Sequence, residues 1–204
     1  MTKIKLCGMM TVADVAAASR LEADYIGFIL TERFRRSVSF AELCELKATI
    51  RSPRSRAVGV FVDEEIDSLL RFSELIDVIQ LHGQEDEGYI RALRRFTDKP
   101  IIKAFKVETA EDTATAAKSS ADLVLLDSGT GTGHTFDWSL IRNVGRPYLL
   151  AGGLDADNVR GAIELLQPYA VDASSGLETD GHKDVTKMEA FVRAVRAGRP
   201  EVRG

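Results

Sequence analysis

Apolar residues fall into short runs separated by stretches of helical spacing, from one end of the chain to the other. The first run, Lys3-Ile4-Lys5-Leu6, ends at Cys7, and alanine-rich positions then predict a helix from Val12 to Leu21. Tyr25 to Leu30 is the second run. A basic loop through Arg33, Arg35 and Arg36 leads from it to Ser39, an N-cap for a helix that starts at Phe40 and ends by Arg51-Ser52-Pro53-Arg54. The third run, Ala57 to Val62, is followed by a helix expected to be capped by Asp63, with Glu64 and Glu65 where the helix dipole favours anions. Val78 to Leu81 ends at His82-Gly83, and the next helix carries Tyr89, Ile90 and Leu93. Pro100 precedes the fifth run, Ile101 to Phe105.

The rhythm continues. A helix is expected over Glu111 to Lys118, and Leu123 to Leu126 ends at Asp127. A loop with Gly129, Gly131 and Gly133 leads to Phe136-Asp137-Trp138, read as the packing at a helix start. Tyr148 to Ala151 ends at Gly152-Gly153, and Asp157 opens a helix through Ile163 and Leu166. Tyr169 to Asp172 ends at Ser174-Ser175-Gly176, before a last helix from Val185 to Arg196. Strands that alternate with helices imply a parallel sheet. Eight such units imply a closed (β/α)8 barrel, a single domain over residues 1–204, near the lower size limit of roughly 200 residues for this fold. A doubly wound open sheet is the rival, but it seldom needs eight units, and no Gly-x-Gly-x-x-Gly follows the first strand.

Composition narrows the function classes. Hydrophobic residues at 45% and charged residues at 28% are the balance of an ordinary globular domain. With a net charge of -4, nothing suggests a nucleic-acid or membrane partner. No apolar run approaches the roughly 20 residues that span a bilayer, and Met1-Thr2-Lys3 leads straight into a strand without the pattern of a signal peptide. Two cysteines do not make a disulfide framework, and Cys44 reads as a core thiol of its helix. A reducing cytoplasm is the expected location.

In a (β/α)8 barrel the active site lies at the C-terminal ends of the strands. Read in order, those ends are Cys7, the arginine loop, Gln80 with His82, Asp127, Gly152-Gly153 and Ser174-Ser175. The glycines and serines after strands seven and eight occupy the place where such barrels bind phosphate, and backbone amides, hydroxyls and a helix N-terminus suit a dianion. The plain alternative is tight turns that need glycine. Cys7 and Asp127 suit a proton shuttle of one base and one acid; a small buried hydrophobe and a capping residue are the alternatives. Arg36 fits a carboxylate in fork geometry, although Arg33 and Arg35 are adjacent and spacing alone does not choose among them. His82, His134 and His182 lack ligand spacing, so no metal is expected. Lys103 is either a Schiff-base nucleophile or a lysine of the barrel interior.

The order and spacing of these stretches resemble the phosphoribosylanthranilate isomerase family along nearly the full length. They are Lys5-Leu6-Cys7-Gly8, Asp24-Tyr25-Ile26-Gly27-Phe28, Arg36-Ser37-Val38-Ser39, Val78-Ile79-Gln80-Leu81-His82-Gly83 and Leu125-Leu126-Asp127. Gly131-Thr132-Gly133 through Phe136-Asp137-Trp138, Leu150-Ala151-Gly152-Gly153-Leu154 with Asn158-Val159, and Val171-Asp172-Ala173-Ser174-Ser175-Gly176-Leu177-Glu178 complete the set. The resemblance implies an Amadori rearrangement of N-(5-phosphoribosyl)anthranilate in tryptophan biosynthesis, with no cofactor and with this phosphorylated sugar-anthranilate as the partner. It implies Cys7 as general base at sugar carbon 2, Asp127 as general acid at the ring oxygen and Arg36 at the anthranilate carboxylate. The loops around Gly153, Asp172, Ser174 and Ser175 are implied at the phosphate, and Gln80, His82 and Gly152 complete the expected substrate-binding set. The assembly is expected to be a monomer or a homodimer. The chain departs from the family pattern at Met9-Met10-Thr11, where Ile-Thr is usual, at Phe34-Arg35-Arg36, where Ser-Pro-Arg is common, and at His134, where lysine or another polar residue is common. Rival functions are a barrel aldolase using Lys103 and a silent phosphate-ligand binding module; a histidine-pathway sugar isomerase would need a carboxylate in place of Cys7.

Overall fold

A computed structural model describes residues 1–127, 138–141 and 144–197. Eight parallel strands close into a barrel in chain order: β1 (Lys3–Cys7), β2 (Tyr25–Ile29), β3 (Arg56–Phe61), β4 (Val78–Leu81), β5 (Ile101–Lys106), β6 (Leu123–Asp127), β7 (Tyr148–Ala151) and β8 (Ala170–Ala173). Closure comes from β1, which pairs with β2 through Cys7↔Gly27 and with β8 through Lys5↔Asp172. Among the described residues seven α-helices cover the outside: α1 (Val12–Arg20), α2 (Phe40–Thr49), α3 (Ile66–Leu70), α4 (Glu87–Leu93), α5 (Ala110–Ala117), α6 (Val159–Leu166) and α7 (Val185–Ala197). After β6 the described residues hold a 3₁₀ turn over Trp138–Ile141 where the eight-unit pattern predicts a helix. The Gly129, Gly131 and Gly133 loop, His134 and Phe136-Asp137 lie outside the described residues. A short antiparallel hairpin, β9 (Glu178–Thr179) and β10 (His182–Lys183), stands between β8 and α7.

Period-two alternation sorts the strand side chains into two cores. Leu6, Ile26, Phe28, Ile79, Leu81, Val124, Leu126 and Val171 face the helices. Cys7, Tyr25, Val58, Val60, Val78, Ile102, Ala104, Leu125, Leu149, Ala151 and Ala170 fill the barrel. Lys103 lies between Ile102 and Ala104 and therefore faces the helix layer rather than the interior. There its ammonium donates to the Gly83 carbonyl at 2.6 Å and to Glu85 at 2.9 Å. Glu85 also accepts the Asp63 and Gly83 amides, so this buried pair holds the loop after β4.

Helix starts follow local chemistry, with some displacement. Ser39 and Glu42 form the capping box of α2, as the N-cap reading expects. Asp63 does not cap α3. It sits at φ +54° and accepts the Gln84 amide, and the helix begins later, after Glu65. Asn158 rather than Asp157 is the residue before α6. Cys44 is exposed rather than a core thiol, because α2 buries only Leu43 and Leu46, a stripe that passes Cys44 by one position. No helix among the described residues is long and apolar enough to cross a membrane.

Candidate active site

A cavity of about 400 Å³ opens at the C-terminal ends of the strands. All ten residues of the expected catalytic and substrate-binding set line it: Cys7, Arg36, Gln80, His82, Asp127, Gly152, Gly153, Asp172, Ser174 and Ser175. Ile29, Phe34, Val60, Val62 and Leu154 add apolar surface.

Cys7 ends β1 pointing into the barrel and is 7% exposed, so the thiol is both a core residue and part of the cavity wall. Its place depends on Gly27, its partner across the ladder. A Cβ at Gly27 would stand 2.6 Å from the Cys7 sulfur and 3.2 Å from its Cα. Only glycine leaves that volume to the sulfur.

Lys5 lies two residues before Cys7 on the same face. It is fully buried and donates to Asp172 Oδ2 at 2.8 Å. Burial alone would lower the Lys5 pKa, but the charges of Asp172 and Cys7 outweigh it and the net shift is upward. Burial raises the Asp172 carboxyl, against the pull of Lys5. The other Asp172 oxygen, Oδ1, is buried without a hydrogen-bond partner among the described residues, as is Gln80 Oε1. A buried acceptor left unsatisfied costs about 1–3 kcal/mol, so both are primed for a donor arriving in the cavity.

Gln80, His82 and Asp127 form a row across β4 and β6. Gln80 Nε2 is 2.8 Å from His82 Nδ1, and His82 Nε2 is 3.6 Å from Asp127 Oδ2. With the amide nitrogen donating, Nδ1 accepts and the neutral ring carries its proton on Nε2, on the side of the carboxylate.

The loops after β7 and β8 make the opposite wall. Gly152 and Gly153 follow β7 with φ of +96° and +64°, left-handed backbone that side chains disfavour. Asn158 ties this turn down by donating to the Gly153 carbonyl at 2.9 Å and accepting the Asp155 amide at 3.0 Å. Ser174 donates to the Cys7 carbonyl at 3.1 Å, which joins the β8 loop to the end of β1. A single 3₁₀ turn, Ser175–Leu177, follows Ser174.

Arg36 projects from the loop after β2, whose bend is closed by the Ser37 amide on the Phe34 carbonyl and the Val38 amide on the Ile29 carbonyl. Its Nε is 2.7 Å from Glu178 Oε1, an ion pair whose N–H aims off the oxygen, and its Nη2 donates to Oε2 at 3.4 Å. Arg35 turns outward to Glu178 and the Gly181 carbonyl, and Arg33 to Asp63 and the Val62 carbonyl. Of the three arginines, Arg36 alone lines the cavity.

Sequence reading missed Lys183, and it quoted Lys5, Gly27 and Glu178 within longer stretches without giving them a role. Lys5 was legible in principle, since a lysine two residues before Cys7 in a strand shares its face. Lys183 carried no such signal, because it comes from a hairpin that folds back over β1. Among the described residues no three His, Cys, Asp or Glu side chains converge as a metal site. Lys103 is not at the cavity, so nothing in this geometry favours Schiff-base chemistry.

Comparison with known proteins matches this architecture. The sequence model described as N-(5'-phosphoribosyl)anthranilate (PRA) isomerase covers residues 4–194. An N-(5'-phosphoribosyl)anthranilate isomerase of Endomicrobium trichonymphae is 37% identical over 97% of this chain and all of its own. One of Streptococcus gordonii is 39% identical with the same coverage. The crystal structure of phosphoribosyl anthranilate isomerase from Thermotoga maritima superposes with a TM-score of 0.87 at 32% identity, over 97% of this chain and all of that one. Another structure, of the isomerase in complex with reduced 1-(o-carboxyphenylamino)-1-deoxyribulose 5-phosphate, gives 0.84 at 32% identity with the same coverage. A barrel closed in chain order, a thiol and a carboxylate at separate strand ends of one cavity, and likeness over nearly every residue lead to one conclusion: this chain belongs to the N-(5'-phosphoribosyl)anthranilate isomerase family.

Proposed function

We propose how the residues of this cavity carry out the family's reaction, the rearrangement of N-(5'-phosphoribosyl)anthranilate to 1-(2-carboxyphenylamino)-1-deoxyribulose 5-phosphate. Asp127 delivers a proton to the furanose ring oxygen. The bond from that oxygen to carbon 1 breaks, and the anilino nitrogen takes up the electron deficiency as an iminium. Cys7 removes the proton on carbon 2, and the electron pair left behind forms the carbon 1–carbon 2 double bond of an enolamine. Tautomerisation places the carbonyl on carbon 2. Protons alone move, so no cofactor is required.

His82 stands behind Asp127, with its ring orientation set by Gln80. The buried acceptors Asp172 Oδ1 and Gln80 Oε1, without partners among the described residues, receive donors from the sugar. Gly152, Gly153, Ser174 and Ser175 take the phosphate, and Arg36 takes the anthranilate carboxylate. The aryl ring lies along the apolar wall of Ile29, Phe34 and Val60. The protein works as one barrel domain over residues 1–204, as a monomer or homodimer, in the cytoplasm, where Cys7 stays reduced.

The observation that carries this reading is that Cys7 and Asp127 end separate strands yet face one cavity, which Arg36 also lines. The test is fluorescence-monitored consumption of phosphoribosylanthranilate. Cys7→Ala should lose roughly 10²–10⁴-fold in turnover, the usual contribution of a general base, with unchanged cooperative unfolding. Full activity in that variant would remove Cys7 from the mechanism.

A further inference from the structure

Glu178 is the first residue of the hairpin that follows β8. Its side chain is only 8% exposed, yet it meets three cations. Lys183 Nζ is 2.8 Å from Oε1, Arg36 Nε is 2.7 Å from Oε1, and Arg35 Nη2 is 3.0 Å from Oε2. Exposed ion pairs contribute little, but a carboxylate this enclosed is tied to its cations. Burial would raise the Glu178 pKa, but Lys183 and Arg36 outweigh it and hold the carboxyl below its usual range.

The three cations reach different parts of the site. Lys183, 1% exposed, also donates to the Ser174 carbonyl at 2.9 Å, which fixes the hairpin to the end of β8. Arg35 bonds the Gly181 carbonyl at 2.5 Å, which fixes the β2 loop to the hairpin turn. Arg36 turns its Nε and Nη2 side to Glu178 as an ion pair, with Nη2 donating at 3.4 Å. A guanidinium is a rigid planar fork, so holding one edge aims the other, and the residue lines the cavity. Glu178 is not among the residues that line the cavity, so it meets Arg36 from outside it.

We propose that Glu178 is the positioning residue that aims the Arg36 guanidinium at the substrate carboxylate, with Lys183 as its buried counter-ion and Arg35 as a second tie between loop and hairpin. This rests on the assignment of Arg36 to that carboxylate.

A double-mutant cycle on KM and kcat tests it. Arg36→Met should raise KM on the order of 30-fold, the loss of a charge-assisted hydrogen bond, with kcat held within about three-fold. Glu178→Gln should raise KM about 5- to 10-fold through the displaced guanidinium, again with little change in kcat. The Glu178→Gln/Arg36→Met variant should be no worse than Arg36→Met alone, because the two act as a unit. A merely structural carboxylate would lower stability without that KM split or that coupling. Should Glu178→Gln fail to fold, Glu178→Asp, which keeps the charge opposite Lys183 but retracts it by one methylene, enters the same cycle under the same criterion. An unchanged KM in Arg36→Met removes the assignment of Arg36 and the proposal with it. A raised KM in Arg36→Met overturns the proposal alone if the change at residue 178 leaves KM unaltered, or if the two losses simply add.

Discussion

Replacing Gly27 by alanine puts a methyl group against the Cys7 sulfur. The added carbon would stand 2.6 Å from Sγ and 3.2 Å from both Cα and Cβ of Cys7. Comfortable contact between such atoms begins at about 3.5 Å, so the sulfur must retreat by roughly 1 Å. Backbone atoms on both strands of the ladder are fixed by pairing, so the thiol rotates away before the strands part. Overpacking of this kind costs about 1–3 kcal/mol. In a chain of this length that is a fall in Tm of roughly 2–10 °C. A reacting group misplaced by about 1 Å can lose on the order of 10²-fold in rate. Gly27→Ala should therefore fold, melt a few degrees early and lose most of its kcat. Thermal unfolding and steady-state kinetics check both parts. Repeating the substitution in a Cys7→Ala background isolates the cause: with the sulfur gone, the extra loss of Tm should shrink. A Gly27→Ala variant with wild-type turnover, or one whose Tm falls equally in both backgrounds, would refute the claim that Gly27 exists to house the thiol.

Three further outcomes follow from the same geometry. Asp127→Asn should lower kcat strongly with a modest change in KM; normal turnover would leave Asp127 a capping residue. Lys5→Met leaves the Asp172 carboxylate buried without its cation, so equilibrium unfolding should show a loss of about 3–5 kcal/mol, partly restored by Asp172→Asn in the same chain. Glu178 is held below the ordinary carboxylate pKa, so its stabilising contribution is complete above that ordinary value and is lost as pH falls through the lowered folded-state value. Melting curves through the acid range should accordingly be less pH-dependent in Glu178→Gln than in the unaltered protein.

The chain's own pattern determined the barrel. Period-two runs such as Val78-Ile79-Gln80-Leu81 must alternate between two faces, and eight such runs joined by helices leave a closed parallel sheet as the economical arrangement. The same rule put Cys7, Gln80 and Asp127 at strand ends, where barrels carry chemistry. Local signals decided less well where a neighbour intervened. Asp63 has the chemistry of a cap, but it meets Gln84 and Arg33 from other loops and takes a left-handed conformation instead. Cys44 follows a helical pattern, but which face of α2 meets the core depends on where Leu43 and Leu46 dock. Lys103 could not be told from an interior lysine until Ile102 and Ala104 were seen to take the inner face and Glu85 the lysine. Nothing local distinguishes Arg36 from Arg33 and Arg35. The choice is made by partners outside that loop: Glu178 holds Arg36, Glu178 with the Gly181 carbonyl holds Arg35, and Asp63 holds Arg33. Patterning reports which side of its own element a residue takes. Which charge a residue meets depends on contacts across the barrel mouth, and only the closed tertiary structure brings those together.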